Sequence, residues 1–152
     1  MAVTYLIPEN KEWFVDRINR LKPDSERQFG TMDANQMMRH MRNALETALG
    51  EVEMPGKANP IVGKIAYFTI THVMTKWPGG KIKAPDYWTP PADREFEQER
   101  AALLSAIDRF LDACAIGKPT APHPLLGNLN TGQWARLNGL HFAHHFRQFG
   151  GN

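Results

Sequence analysis

The sequence holds a single cysteine, Cys114, so no internal disulfide is available and packing alone must hold the core. It contains no stretch of about 18 consecutive apolar residues, which excludes a membrane-spanning helix. A large excess of one charge is missing as well. Lys and Arg total 18 against 16 Asp and Glu, a net charge of +2 with no basic stripe of the kind that neutralises phosphates, so nucleic acid is not an expected partner. The segment from Met1 to Asn10 has neither a basic start nor a sustained apolar stretch, and the cytoplasm is the expected location. Internal repeats, low-complexity tracts and linker-like stretches are absent too. With 42% hydrophobic residues in 152, the chain is too apolar to stay disordered and suits one domain over residues 1–152.

What is present is helical periodicity. Five segments carry it, joined by connections rich in Pro and Gly. From Asn10 to Lys22, Trp13, Phe14, Ile18 and Leu21 recur at the spacing of one helix face, and Pro23 helps to stop the run. Asp33 suits the N-cap of a second helix, with Gln36 completing a capping box and Gly50 following the end. Met37, Met38, Met41, Ala44, Leu45, Ala48 and Leu49 form its apolar stripe, and the methionines read as core packing. A third segment runs from Asn59-Pro60 to about Lys76. It is rich in β-branched residues, yet its length favours helix, and apolar residues on most of its circumference predict a central, well-covered element.

Between Ala92 and Ile116, a fourth stripe comprises Phe96, Leu103, Leu104, Ile107, Phe110, Leu111 and Cys114, with Asp93, Glu95, Glu97, Glu99 and Arg109 expected on a solvated surface. The last helix follows Asn130, whose capping box closes on Gln133, and runs to Phe149 before Gly150-Gly151. Helices on helices with short connections predict an all-α four-helix bundle with one additional helical segment. Trp13, Trp77, Trp88 and Trp134 read as packing anchors, with Trp77 and Trp88 placed to line a pocket mouth.

Three of the six histidines fall in His141-Phe142-Ala143-His144-His145. Residues four apart on a helix lie almost above one another, so His141 and His145 can aim both imidazoles at one point. Trp134, Leu137, Asn138 and Gln148 share that face, which turns the pair toward the bundle interior, and His144 lies at its edge. A catalytic zinc site takes three protein ligands and an open position. His40, set among Met37, Met38, Arg39 and Met41, is the best third ligand, and His72 is the reserve. His123, between Pro122 and Pro124 in a connection, is not expected to ligate. Neutral imidazoles suit zinc, nickel, copper or iron. A zinc-protease helix needs Glu after the first His, where Phe142 stands, and a di-iron bundle needs Glu three residues before a His, where Met37, Asn138, His141 and Phe142 stand. Spacing by itself leaves open whether these histidines ligate a metal or are hydrogen-bonded core residues.

The run His141-Phe142-Ala143-His144-His145-Phe146-Arg147-Gln148 resembles the last-helix signature of the DinB-like superfamily of metal-binding four-helix bundles, and Gln36-Met37-Met38-Arg39-His40 is similar to its second-helix motif. The longer stretch from His123-Pro124 through Gly127, Leu129 and Trp134 to Arg147-Gln148-Phe149-Gly150 resembles one uncharacterised branch, so the likeness spans about Leu21 to Gly150. It implies a divalent metal on His40, His141 and His145, zinc being the expected ion, with nickel or iron as alternatives. Members of the superfamily include transferases and isomerases that use low-molecular-weight thiols such as bacillithiol or mycothiol, and metal-dependent hydrolases.

Two classes of function follow: a metal-dependent hydrolase or thiol-dependent S-transferase, or a non-enzymatic, stress-related or structural bundle with a vestigial site. In the first, Asn138, His144 and Gln148 contact substrate or support the ligands. The expected partners are a small-molecule substrate and a second copy of the chain, and departures from the superfamily are expected between Trp77 and Pro91.

Overall fold

A computed structural model describes residues 3–81, 84–119 and 121–151. The extreme ends of the expected domain and two positions of the Trp77–Pro91 connection, Ile82 and Lys83, lie outside the described residues. The fold is all-α. A single 3₁₀ turn, Pro8–Asn10, leads into α1 (Lys11–Arg20), followed by α2 (Ala34–Ala48), α3 (Pro60–Phe68), α4 (Phe96–Ala115) and α5 (Thr131–Gln148). Among the described residues there is no strand, only an isolated bridge between His123 and Gly127.

Helices α1, α2, α4 and α5 form the bundle, with α2 packed on α4 and α5. The apolar stripes predict the interior well: Met37, Met38, Met41 and Leu45 of α2 and Leu103, Ile107 and Phe110 of α4 are fully buried. From α1, Phe14 meets Phe142 and Phe146 of α5 edge-on or tilted, with ring centroids 5.9 and 6.3 Å apart. Such aromatic pairs add to the burial of their area.

Local chemistry sets the helix starts. Asp33 accepts from the Gln36 backbone N–H at 2.8 Å, and Asn130 and Gln133 close a reciprocal capping box on α5. The box expected at Asp33 is only half made, because the Gln36 side chain instead donates to the Thr89 carbonyl at 2.7 Å. The fourth helix starts at Phe96, later than Ala92, since Pro90-Pro91 and the following residues run as an irregular connection.

Two expectations fail for tertiary reasons. Glu99, assigned to the solvated face of α4, is fully buried and meets Arg42 of α2, with Nε and Oε1 2.5 Å apart. Arg42 also reaches both oxygens of Glu46 at 3.0 Å, so the buried carboxylate has a hydrogen-bonded cation beside it, without which burial would be very costly. The third segment is not well covered. Gly63, Tyr67 and Thr71 are buried, while Ile61 and Val73 are 72% and 67% exposed and Val62, Ile65 and Phe68 are exposed too. Hydrophobicity around the whole circumference did not decide burial here, because the four bundle helices leave this segment only one packed side.

That segment ends earlier than Lys76 and changes geometry on the way, passing into a π-helical turn over Thr69–Val73. The turn frees carbonyl groups that side chains then take. Arg136 of α5 donates twice to the Thr71 carbonyl, at 3.0 and 2.6 Å, and the Trp77 indole N–H donates to the Ile70 carbonyl at 2.8 Å. The third segment thereby fixes Trp77 above α5.

At Gly139 the N-terminal segment crosses α5 so closely that a Cβ would lie 2.6 Å from the Thr4 carbonyl oxygen and 2.8 Å from Tyr5 Cα. Because both obstacles are backbone, Gly139→Ala should destabilise by about 1–3 kcal/mol, exceeding the roughly 0.5–1 kcal/mol that Ala gains over Gly inside a helix. Urea denaturation checks this, and a midpoint at or above that of the parent protein contradicts it.

Candidate metal centre

Helix α2 delivers His40 and α5 delivers His141 and His145, one turn apart. One ring nitrogen of each lies within 4.8 Å of the others, and among the described residues this is the group of His, Cys, Asp or Glu placed to hold a metal. His40 and His145 are buried and His141 is half-buried. Nε2 of His141 is 2.8 Å from Nε2 of His40 and 3.0 Å from Nε2 of His145. The spacing is about half an ångström short of the roughly 3.4 Å between imidazoles on one tetrahedral zinc ion.

The outer ring nitrogens decide what the inner ones offer. His40 Nδ1 lies 2.8 Å from the Trp88 carbonyl, which can only accept, so the proton sits on Nδ1 and Nε2 carries a lone pair. Gln148 donates its amide Nε2 to the Phe29 carbonyl at 3.0 Å, so its Oε1 must face His145 Nδ1, 2.8 Å away. His145 therefore also holds its proton on Nδ1 and turns a lone pair inward. His141 Nε2 can carry one proton at most, and a single N–H cannot satisfy two such neighbours at once. Three imidazoles converging in this way suit a cation, and a second hydrogen bond on the outer nitrogen is the usual support of a histidine ligand.

Sequence reasoning missed the Trp88 carbonyl. Its signal lay in the polar residues of Gln36-Met37-Met38-Arg39-His40: Gln36 donates to the Thr89 carbonyl, Arg39 to that of Pro91 and His40 to that of Trp88. Asn35 adds a bond to the Arg94 carbonyl at 2.9 Å. One helix face thus clamps the connection that orients its own histidine.

The cluster borders a cleft of about 620 Å³. Asn138, His144 and Gln148 line it, as do Trp77 and Trp88. The rings of Trp77 and His141 are 6.0 Å apart. His72, the reserve ligand, is not part of the cluster: it is exposed, stacked on Phe68 at 5.0 Å and bonded to the Thr71 hydroxyl. His123 lines the cleft, but its Nδ1 accepts from the backbone N–H groups of Leu125 and Leu126 at 3.0 and 3.1 Å, which ties it to the turn. Cys114 is half-buried outside the cluster, with its thiol pushed up to about 11 by burial.

A family model described as "Protein of unknown function (DUF1569)" matches residues 6–152. The chain belongs to this family. Comparison with curated proteins and with solved structures finds no match. Among the described residues of this DUF1569 protein, no helix is long and apolar enough to cross a membrane.

Burial favours the neutral form of the histidines in the cluster and the cleft. Desolvation lowers His141 and His145 well below the ordinary value, with the charges of neighbouring histidines adding to it, and lowers His40 against the Trp88 bond. Desolvation likewise brings His144 and His123 down to about 4. Unfolded histidines bind protons below about pH 6.5 that these folded ones refuse, so stability present at neutral pH is lost as pH falls from about 6.5 toward 4. For chelator-treated DUF1569 protein, the urea midpoint should therefore be clearly lower at pH 5 than at pH 7.5, and equal midpoints contradict the assignment of neutral buried histidines.

Proposed function

We propose that this protein is a metal-dependent enzyme of DinB-like type in which His40, His141 and His145 hold one divalent ion beside the cleft. The reaction is hydrolysis of a small molecule or transfer to a low-molecular-weight thiol. The observation that carries this reading is the convergence of the three Nε2 atoms, two of them held as lone pairs by bonds on the far side of their rings. Three protein ligands are the count of catalytic zinc sites, and among the described residues no fourth His, Cys, Asp or Glu joins the group.

When bound, a zinc, nickel or iron ion supplies Lewis acidity toward an oxygen or sulfur atom. The chain's own residues do the rest. The Trp88 carbonyl and Gln148 hold His40 and His145 in fixed tautomers and ring orientations. His144, kept neutral by burial, stands beside the cluster with its Nδ1 buried and without a hydrogen-bond partner. Trp77 and Trp88 line the cleft and limit how much water surrounds a bound molecule.

Purified protein should carry about one zinc, nickel or iron ion per chain by elemental analysis. His141→Ala and His145→Ala should abolish it, while His123→Ala should retain it, since that ring serves the turn. Full metal retention by His145→Ala would overturn the site. A panel of simple esters and amides, with electrophiles offered together with small thiols, then separates the two chemistries. A cobalt-substituted form with four protein ligands and no exchangeable one would replace the enzyme by a structural bundle.

A further inference from the structure

The near-even charge of the whole chain is an average over two unlike parts. All 16 Asp and Glu lie in residues 1–53 and 86–112, while residues 54–85 and 113–152 contain none and carry six Lys and two Arg. Folding brings the two acid-free segments together. The Tyr67 hydroxyl donates to the Gln133 carbonyl at 3.3 Å, and Arg136 holds the Thr71 carbonyl. The Leu126 carbonyl oxygen lies 2.5 Å from where a Cβ on Gly63 would stand. The third segment thus packs on α5 and on the turn before it, and neither contributes a carboxylate.

The outer side of that segment is apolar and flanked by cations. Ile61, Val62, Ile65 and Phe68 cover about a third of the circumference of α3, and all four are exposed, Phe68 to 58%. Of the nine large apolar side chains exposed among the described residues, five fall within residues 61–73. Such concentration marks an interaction surface, because exposed apolar residues are otherwise scattered singly. Lys64 is one turn from Phe68, Lys57 precedes the helix, and Lys76 and Lys81 follow the π-helical turn. All four lysines are exposed, and among the described residues none is paired with a carboxylate.

We propose that this face rests on an anionic membrane surface, with Ile61, Ile65 and Phe68 at the boundary of headgroups and acyl chains and the lysines on the lipid phosphates. Charge decides the occupant. A second copy seated on the same face by two-fold symmetry would set lysines against lysines, with no carboxylate from the acid-free segments to pair them. A nucleic acid would leave the apolar side chains against a charged backbone. A helix packed on one side only stands out as a ridge, which sinks into a deformable apolar layer without needing a matching groove. The attachment is peripheral: the helix lies along the surface and does not cross it.

Vesicle sedimentation with the purified protein tests this. Vesicles containing phosphatidylglycerol should bind the protein about tenfold or more tightly than vesicles of phosphatidylcholine alone, and added salt should weaken that binding. Ile65→Ser with Phe68→Ser removes apolar contact, and Lys57→Glu with Lys64→Glu removes positive charge. Each double variant should lose about tenfold or more in affinity for the anionic vesicles, with circular dichroism unchanged because all four side chains are exposed. Absence of binding, equal affinity for the two vesicle types, or full binding by either double variant overturns the proposal. Sedimentation velocity without vesicles reads the rival occupant. A dimer that Ile65→Ser with Phe68→Ser splits into monomers, in protein that no vesicle sediments, overturns the proposal in favour of a second copy on this face.

Discussion

Two hydrogen bonds on the outer edges of imidazole rings decide the character of this site. A backbone carbonyl has no proton to give, so Trp88 forces the proton of His40 onto Nδ1. Gln148 does the same for His145, because its own amide nitrogen is committed to the Phe29 carbonyl. With those protons fixed outside, the inner nitrogens turn lone pairs toward His141, and the cluster has one proton at most to share. Hydrogen-bonded core histidines would alternate donors and acceptors. Here the three converging nitrogens could hold a metal ion.

The bundle serves these two bonds. Arg42 and Glu99 tie α2 to α4 inside a low-dielectric core, and the fully buried methionines of α2 seat the helix that carries His40. The polar edge of α2 holds the connection through the carbonyls of Thr89 and Pro91, just beyond the Trp88 carbonyl that His40 needs. On the other wall, the π-helical turn offers its carbonyl groups to Arg136 and Trp77, which ties the third segment to α5 and stations an indole over His141. Positioning is thus shared between helices, as a preorganised site requires.

Membership in a family described only by a number leaves the chemistry to the site itself. What the site offers is the convergence of three histidines, two of them with tautomers set by acceptors on the outer edges of their rings.

The sequence determined the elements and one half of the site. Periodicity and capping residues placed α2 and α5 nearly to the residue, since both signals are local, and the i, i+4 pair His141 and His145 follows from helix geometry alone. Its third member, His40 in preference to His72, was already the sequence's choice, but only packing brings it to the pair, because His40 and His141 lie 101 positions apart in the chain. Burial was likewise a tertiary matter. Glu99 reads as a surface acid until Arg42 is brought against it, and the apolar residues of α3 read as core until the bundle closes without covering them. The Trp88 carbonyl left only an indirect signal, in the polar residues Gln36, Arg39 and His40 that clamp its connection, since a backbone group has no letter of its own and what it bonds depends on where the chain brings it.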